Sequence, residues 1–470
     1  MPRPGSATIP NARIHPGRHA RPVDGELVLY WMQVTLRAED NYALNFAVER
    51  ANELGLPVLV YHGLRPDYPW ASDRIHGFIL ESVMDLRAGF ERRGIPYHFH
   101  LDRHDPESGP RPDGPSPLVA LARRAAMVVT DFYPTFIVPR QTKRLREILD
   151  DRRTPVIAVD SATVVPMAAL ETPFSTARAI RPRLLEALSH YLHPVGNVAP
   201  KSRLRTDPGF EDIRPTPETL AGILESCPID HTVAPAPGIR GGTRAARKRL
   251  TRFLAQGLPE YTEGRNDPNR DVTSGMSPYL HFGNISIQEV LLRAREAGPA
   301  SQFEKFQDEA LTWRELAHNF VYHDRRHRTV AAIPGWARKE LDDHSGDPRP
   351  ARYSARTLER AETGEALWDA AQRSYLREGT MHNYMRMLWG KTVLQWTPDY
   401  RKALRLLEHL NNKYSLDGRD PSSYGGIMWI FGKFDRPFYR RPIYGTVRYI
   451  SLRAAEKKFD AGKYVEGFKD

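Results

Sequence analysis

Between Trp368 and Trp429 the sequence gathers large aromatic and charged residues that are rarely crowded together without a bound group among them. Trp389 and Trp396 lie seven apart, two helical turns, so on a helix they share a face. Trp368 falls on the preceding segment. Tryptophan is one of the few side chains able to pass single electrons. A row of indoles leading from a buried centre to the surface is therefore a route for electrons driven by light. The plainer reading of the same trio is a tryptophan-lined core, and the residue types alone leave both open. Arg386 and Asp417 sit in segments rich in Met, Tyr and Leu. Buried there, a guanidinium and a carboxylate must pair. The pair is either a plain structural one or one set over a redox-active ring, whose electronics it would tune.

A second constellation runs from Tyr261 through Arg265-Asn266-Asp267-Pro268 to Ser277-Pro278-Tyr279-Leu280-His281-Phe282-Gly283. Thr273, Ser274, Gly275 and Ser277 offer hydroxyls and close backbone approach, which suits a pyrophosphate; alone, the same run is a loop followed by a helix cap. A third is Trp313-Arg314-Glu315-Leu316, where a carboxylate in an aromatic and basic setting could accept from a base edge, or simply form a surface Arg–Glu pair. Gly241-Gly242-Thr243 ahead of a basic helix offers a phosphate cradle or ordinary helix-start geometry with Thr243 as N-cap. His98 and His100, two apart with His104 nearby, suggest either a metal site or an ordinary strand face.

These residues need elements to hold them. From Glu26 to about Asp160 short apolar runs alternate with helical periodicity: strands near Leu27–Trp31, Val58–Tyr61, Tyr97–Leu101, Met127–Asp131 and Val156–Asp160. Five strands alternating with helices predict a parallel, Rossmann-like α/β sheet covered on both faces. No G-x-G-x-x-G follows the first strand, so a nicotinamide site is not expected. Proline-rich sequence then predicts an interdomain linker over 166–240. From Gly241 onward helices dominate, at Arg244–Gln256, Ile287–Ala297, Phe303–His323, Leu367–Glu378, His382–Gln395 and Pro398–Asn411. The expected organisation is a disordered basic arm over 1–24, an α/β domain over 25–165, the linker, and an all-α domain over 241–470.

The chain has 470 residues, too long for one ordinary core. Lys and Arg number 68 against 57 Asp and Glu, a net charge of +11 that favours a polyanionic partner such as nucleic acid or a phosphate-bearing cofactor. The single cysteine, Cys227, excludes an internal disulfide and any multi-cysteine metal site and suits a reducing, cytoplasmic setting. No apolar run approaches a membrane span, and the Pro/Arg/His-rich start is no secretory signal.

Taken together, these segments resemble the photolyase/cryptochrome flavoproteins, and within them the class II cyclobutane pyrimidine dimer photolyases. The likeness is carried by the Arg265–Pro268 and Ser277–Gly283 runs, Arg314-Glu315-Leu316, Met381-His382 with Tyr384-Met385-Arg386-Met387, Tyr414-x-Leu416-Asp417-Gly418-Arg419-Asp420-Pro421, Arg448-Tyr449, and Trp31-Met32 with Asp40-Asn41. It implies a helical domain holding a U-shaped FAD and repair of dimers in double-stranded DNA by an electron from photoexcited, reduced FAD. By position it implies Asn411 beside flavin N5, with Arg386 and Asp417 over the ring. Trp389, Trp368 and Trp396 become the proximal, middle and distal members of the electron chain. Glu315, Met387 and Trp429 become lesion contacts, and Tyr261, Thr273, Ser274, Gly275, Ser277 and Asp420 FAD contacts. An antenna, a deazaflavin such as the 8-hydroxy form or a folate, is left undetermined in the N-terminal domain. The expected form is a monomer with no membrane.

The sequence departs from that pattern at His318, where the family usually has an acid, at the basic run Phe320–His327, around Trp389 (Asn383, Leu388, Gly390, Thr392), and over Phe434–Pro442, which is one residue short and lacks the usual Trp. A flavin photoreceptor without repair activity is the competing reading. Such proteins often carry a long C-terminal tail, and here the chain ends soon after Tyr449.

Overall fold

The computed structural model describes residues 9–108, 116–202 and 207–469. Strand β1 (Ile14–His15) is followed by β2 (Leu27–Met32), β3 (Val58–Leu64), β4 (Tyr97–Leu101), β5 (Ala125–Asp131) and β6 (Val156–Val159). They form one sheet in the order β1-β6-β5-β2-β3-β4, parallel except for β1. Strand β2 shows why such apolar runs become central strands. Val28, Tyr30 and Met32 enter one core while Leu27, Leu29 and Trp31 enter another, so every position is buried. Helices α1 (Tyr42–Leu54), α2 (Asp73–Arg93), α3 (Pro117–Arg124) and α4 (Val138–Ile148) cover the two faces.

The N-terminal arm departs from expectation. Residues 1–8 lie outside the described residues, but from Ile9 onward the arm is docked. β1 pairs antiparallel with β6 and so covers the edge of the sheet. Arg13 is wholly buried and donates to the carbonyls of Asp160, Thr163 and Val164. Its charge, read from sequence as part of a disordered basic arm, is hydrogen-bonded by backbone acceptors.

The linker holds α5 (Ala177–Tyr191) and α6 (Leu220–Glu225). Arg181 on α5 pairs with Asp308 at 2.8 Å, and Asp212 accepts from Arg87 of α2. The helical region then contains α7 (Thr243–Arg252), α8 (Tyr261–Gly264), α9 (Ser277–His281), α10 (Ile287–Ala297), α11 (Ala300–Gln307) and α12 (Arg314–His323). It continues with α13 (Gly335–Asp343), α14 (Ala355–Glu359), α15 (Ala366–Glu378), α16 (Asn383–Trp396), α17 (Tyr400–Tyr414) and α18 (Pro421–Ile430). α11 and α12 run on through a π-helical turn, Asp308–Trp313, as a single rod.

Arg74 of α2 ties the two regions together at the site. It is buried and donates to the carbonyls of Tyr375 and Leu376, at the end of α15, and of Tyr414, at the end of α17, each at 2.7 Å. Those carbonyls stand at two helix C-termini, where a cation is favoured.

Candidate cofactor and substrate site

Helices α15, α16 and α17 converge on one buried polar cluster. Arg386 of α16 reaches both carboxylate oxygens of Asp417 at 3.0 and 3.1 Å, and both side chains are largely buried. Burial alone would push the Asp417 carboxyl up. Arg386, with the hydroxyls of Ser415 and Ser277, outweighs it and holds the carboxyl below its ordinary value. Tyr375 of α15 is the hub. Its ring lies 5.5 Å from the Arg386 guanidinium and 5.5 Å from the Trp389 ring, edge to face at 82°. Its hydroxyl donates to Asn411 Oδ1 at 3.3 Å. The Asn411 amide in turn donates to Asn412 and Ser423.

The ledge beside this cluster is polar. The Ser277 hydroxyl is among the groups that hold the Asp417 carboxyl down, so the 273–277 run lies near the Arg386–Asp417 pair. Ser277 and Gly275 are exposed, and Thr273 and Ser274 are half-buried. Arg249 of α7 donates to the backbone carbonyls of Thr273 and Ser274 at 2.7 and 2.9 Å and so fixes the ledge. Tyr261 closes it from behind, packed edge-on against Phe306 and Phe253 with Arg265 over its ring. One buried polar atom at this site, Nε of Arg386, has no hydrogen-bond partner among the described residues. Buried polar groups are seldom left so. Hydroxyls for a phosphate arm, a fixed cation–anion pair and an amide for a flat polar ring fit FAD.

The three tryptophans form a connected row. Trp389 donates its indole N–H to Gln372 at 3.0 Å. Trp368 donates to the backbone carbonyl of Trp389 at 3.1 Å, and its ring lies 5.4 Å from that of Trp396. All three are buried. Tyr353, half-buried, meets Trp396 at 4.9 Å and extends the row toward the surface. Tyr353 and Tyr375 were missed in the sequence. Neither lies within a motif, and only the packing brings them in.

Not every residue expected at the site arrives there. Glu315 is 1% exposed, and its carboxyl group accepts from the backbone N–H of Val164 and Val165 at the end of the α/β domain. Burial is the largest influence and pushes its pKa up to about 8, against those two donors and Arg314. Asp420 caps α18 and accepts from Tyr133 of the α/β domain at 2.6 Å, with His281 at 3.4 Å. It joins the domains rather than the Arg386 cluster. A different acid, Glu309, lies on the π turn, pairing with Arg265 at 2.7 Å and Lys305 at 3.0 Å. Trp313, on the same turn, remains 37% exposed. The π turn changes which residues share a face of this helix, so Glu309 and Trp313 stand apart from the α-helical spacing.

Met387 and Trp429 are half-buried on α16 and α18; the Met387 methyl lies 3.8 Å from where a Cβ on Gly426 would stand. His318 is wholly buried, donates from Nδ1 to the Arg314 carbonyl at 2.8 Å, and burial lowers its pKa to about 4, so it is a neutral core residue. Tyr439, in the divergent Phe434–Pro442 run, is 92% exposed. Gly242, with φ of 98°, starts α7, and the Asp85 carboxylate accepts from the Arg244 N–H. That helix start is occupied by an acid and is not a phosphate cradle. His98 faces Asp212 at 3.5 Å, and among the described residues no group of three or more His, Cys, Asp or Glu is arranged to hold a metal.

A cavity of about 930 Å³ lies elsewhere. It lies beyond the carboxyl ends of the parallel strands, where open α/β sheets bind ligands. Trp31, Tyr61, Tyr68, Phe136, Arg144 and His281 are among its walls.

Residues 28–201 match the DNA photolyase family model. The chain is 36% identical over 445 residues to a deoxyribodipyrimidine photo-lyase of Methanothermobacter thermautotrophicus, covering 94% of each, and 33% identical to one of Arabidopsis thaliana, covering 94% of this chain and 88% of that one. Among solved structures it is similar to a class III photolyase of Agrobacterium tumefaciens (TM-score 0.67, 22% identity, 96% and 88% of the two chains). It is also similar to a cryptochrome of Synechocystis (TM-score 0.69, 17% identity, 94% and 88%). At those identities the structures speak to the fold alone.

Proposed function

The chain belongs to the DNA photolyase family, and from that premise we propose that it is a light-driven, FAD-dependent enzyme of the class II type that splits cyclobutane pyrimidine dimers in DNA. The observation that carries the reading is the unbroken contact from Asp417 through Arg386 and Tyr375 to Trp389, which joins an electron row to a cofactor-shaped polar cluster.

Bound FAD supplies absorption of light and an electron that can be lent to the dimer and returned. The protein does the rest. Arg386 and Asp417 hold opposite charges at fixed places, so no solvent need reorganise when charge moves. Asn411, oriented by Tyr375 and Ser423, presents an amide that hydrogen-bonds without titrating. Thr273, Ser274 and Ser277 hold the phosphates, and Arg249 keeps their backbone in place. Trp396, Trp368 and Trp389 bring electrons inward from the surface. Met387 and Trp429 face the extruded lesion. Glu309 takes the base-edge role first given to Glu315, because its carboxylate lies on the same turn as the exposed Trp313 while the carboxyl of Glu315 is spent on Val164 and Val165.

A dimer inside a duplex cannot reach a buried group, so it must be flipped out, and its damaged stacking lowers that cost. The excess of basic residues holds the flanking phosphates. The cavity beyond the parallel strands is proposed to take a second, light-collecting chromophore, a planar aromatic that matches walls such as Trp31 and Phe136.

The test is to mix purified protein with ultraviolet-damaged DNA under blue light and follow the dimers. A yellow, photoreducible protein that leaves the dimers intact would refute repair and leave the photoreceptor reading. A colourless protein that takes up no FAD would refute both.

A further inference from the structure

The end of α18 is held by a buried lysine. Lys391, on α16, is wholly buried. Its Nζ donates to the carbonyl of Ile430 at 2.6 Å and stands 5.1 Å from the centroid of the Trp429 ring. Ile430 is the last residue of α18, and the last carbonyls of a helix have no partner further along it. A cation there meets both an orphan acceptor and the negative end of the helix dipole. α16 comes this close because residue 390 is glycine: a Cβ there would stand 2.1 Å from the Ile430 Cδ1. One turn earlier on each helix Met387 meets Gly426, so the two helices touch through two successive rungs.

The Trp429 indole is engaged by a second cation. The Arg448 guanidinium lies 5.4 Å from its ring and is fixed by two bonds to Asp435, at 2.7 and 2.8 Å. Among the described residues, Lys391 and Arg448 are the only cations set over a tryptophan ring; Trp368, Trp389 and Trp396 carry none.

We infer that Lys391 is a positioning residue for Trp429, pinning the end of α18 and the indole so that the ring presents one orientation to the extruded pyrimidine pair. This rests on the reading of Trp429 as a lesion contact. The contact also titrates. Burial is the main influence on Lys391, with Asp435 raising and Arg448 lowering its pKa, and the result is about 7. Those are the charged groups that face it; the Tyr444 hydroxyl, from the C-terminal segment, donates to its backbone carbonyl at 2.8 Å. As pH rises through neutrality Lys391 loses its charge and with it the attraction to the indole face.

The experiment is binding in the dark. Affinity of the FAD-loaded protein is measured by fluorescence anisotropy for a short single strand carrying one cyclobutane thymine dimer and for the same strand undamaged. The ratio of the two affinities is the readout, with FAD content followed by absorbance. Trp429→Ala should lower the ratio. Lys391→Met, similar in length and uncharged, should lower it about fivefold with FAD content and undamaged-strand affinity unchanged. The wild-type ratio should fall between about pH 6 and pH 8.5, around the Lys391 pKa, and the Lys391→Met ratio should stay flat. An unchanged ratio in Trp429→Ala ends both the lesion reading of Trp429 and the inference built on it. A ratio lost in Trp429→Ala but kept in Lys391→Met overturns the inference alone. Should Lys391→Met not fold, the wild-type profile decides: a ratio independent of pH across that range overturns it.

Discussion

The indole N–H of Trp368 donates to the backbone carbonyl of Trp389 at 3.1 Å. α15 thereby fixes the middle ring of the row against the helix that carries the other two. That carbonyl is normally reserved for the next helical turn, so the bond sets the ring's position by the backbone of α16 and not by side-chain packing alone. The row is rigid, and its members can be tested one at a time.

Replacing Trp389 by Phe keeps the aromatic contact with Tyr375 but removes the oxidisable indole. Light-driven reduction of oxidised FAD should fall to a small fraction of its wild-type rate, followed by absorbance under blue light. Repair by chemically reduced protein should be spared. Undiminished photoreduction would remove Trp389 from the row.

Replacing Asp417 by Asn leaves the Arg386 guanidinium buried and without its counter-charge. Breaking one half of a buried pair costs about 3–5 kcal/mol. Thermal unfolding should register that loss, and the purified variant should retain much less FAD than wild type. A variant with unchanged melting and full FAD content would show that the pair neither stabilises the fold nor holds the cofactor.

Folded Glu315 keeps its proton to about pH 8, while the unfolded side chain loses it near an ordinary value of about 4.3. The folded state therefore binds more protons between those limits, and stability falls as pH rises through that window. Glu315→Gln removes the titration. Chemical unfolding followed at pH 5, 6.5 and 8 should show a shallower decline in the variant than in wild type. Parallel declines would contradict the assignment of the proton to Glu315.

Glu309→Gln removes a charge at the exposed π turn and breaks the pairs with Arg265 and Lys305. It should leave FAD content near wild type and slow repair by about tenfold or more, the order expected when a hydrogen bond to a charged group is lost. The same replacement at Glu315 should act chiefly on stability. The opposite ranking of the two variants in repair would restore the role first read from the sequence.

Much of this arrangement was legible in the sequence because its signals are local. The five apolar runs became the parallel strands, and the Ile287–Ala297 helix was read to the residue. Arg386 and Asp417 meet as a buried pair between Met- and Leu-rich segments must. What escaped was tertiary. Arg13 reads as part of a loose basic arm until the carbonyls of Asp160, Thr163 and Val164 surround it. Glu315 reads as a surface acid until the backbone N–H groups of Val164 and Val165 enclose it. Asp420 looks like a continuation of the Asp417 motif, yet the turn before α18 carries it to Tyr133 instead. Tyr375 has no motif at all, and only the convergence of α15, α16 and α17 makes it the hub.

The central claim is that this protein uses light to restore pyrimidines from a dimer. It is tested most directly with a defined oligonucleotide carrying a single cyclobutane thymine dimer, mixed with an excess of chemically reduced protein and illuminated with blue light. Loss of the dimer and recovery of intact thymines are followed by chromatography, beside a dark control. Repair in the light and none in the dark is the predicted result. A reduced, FAD-loaded protein that leaves the dimer untouched under illumination would contradict the claim.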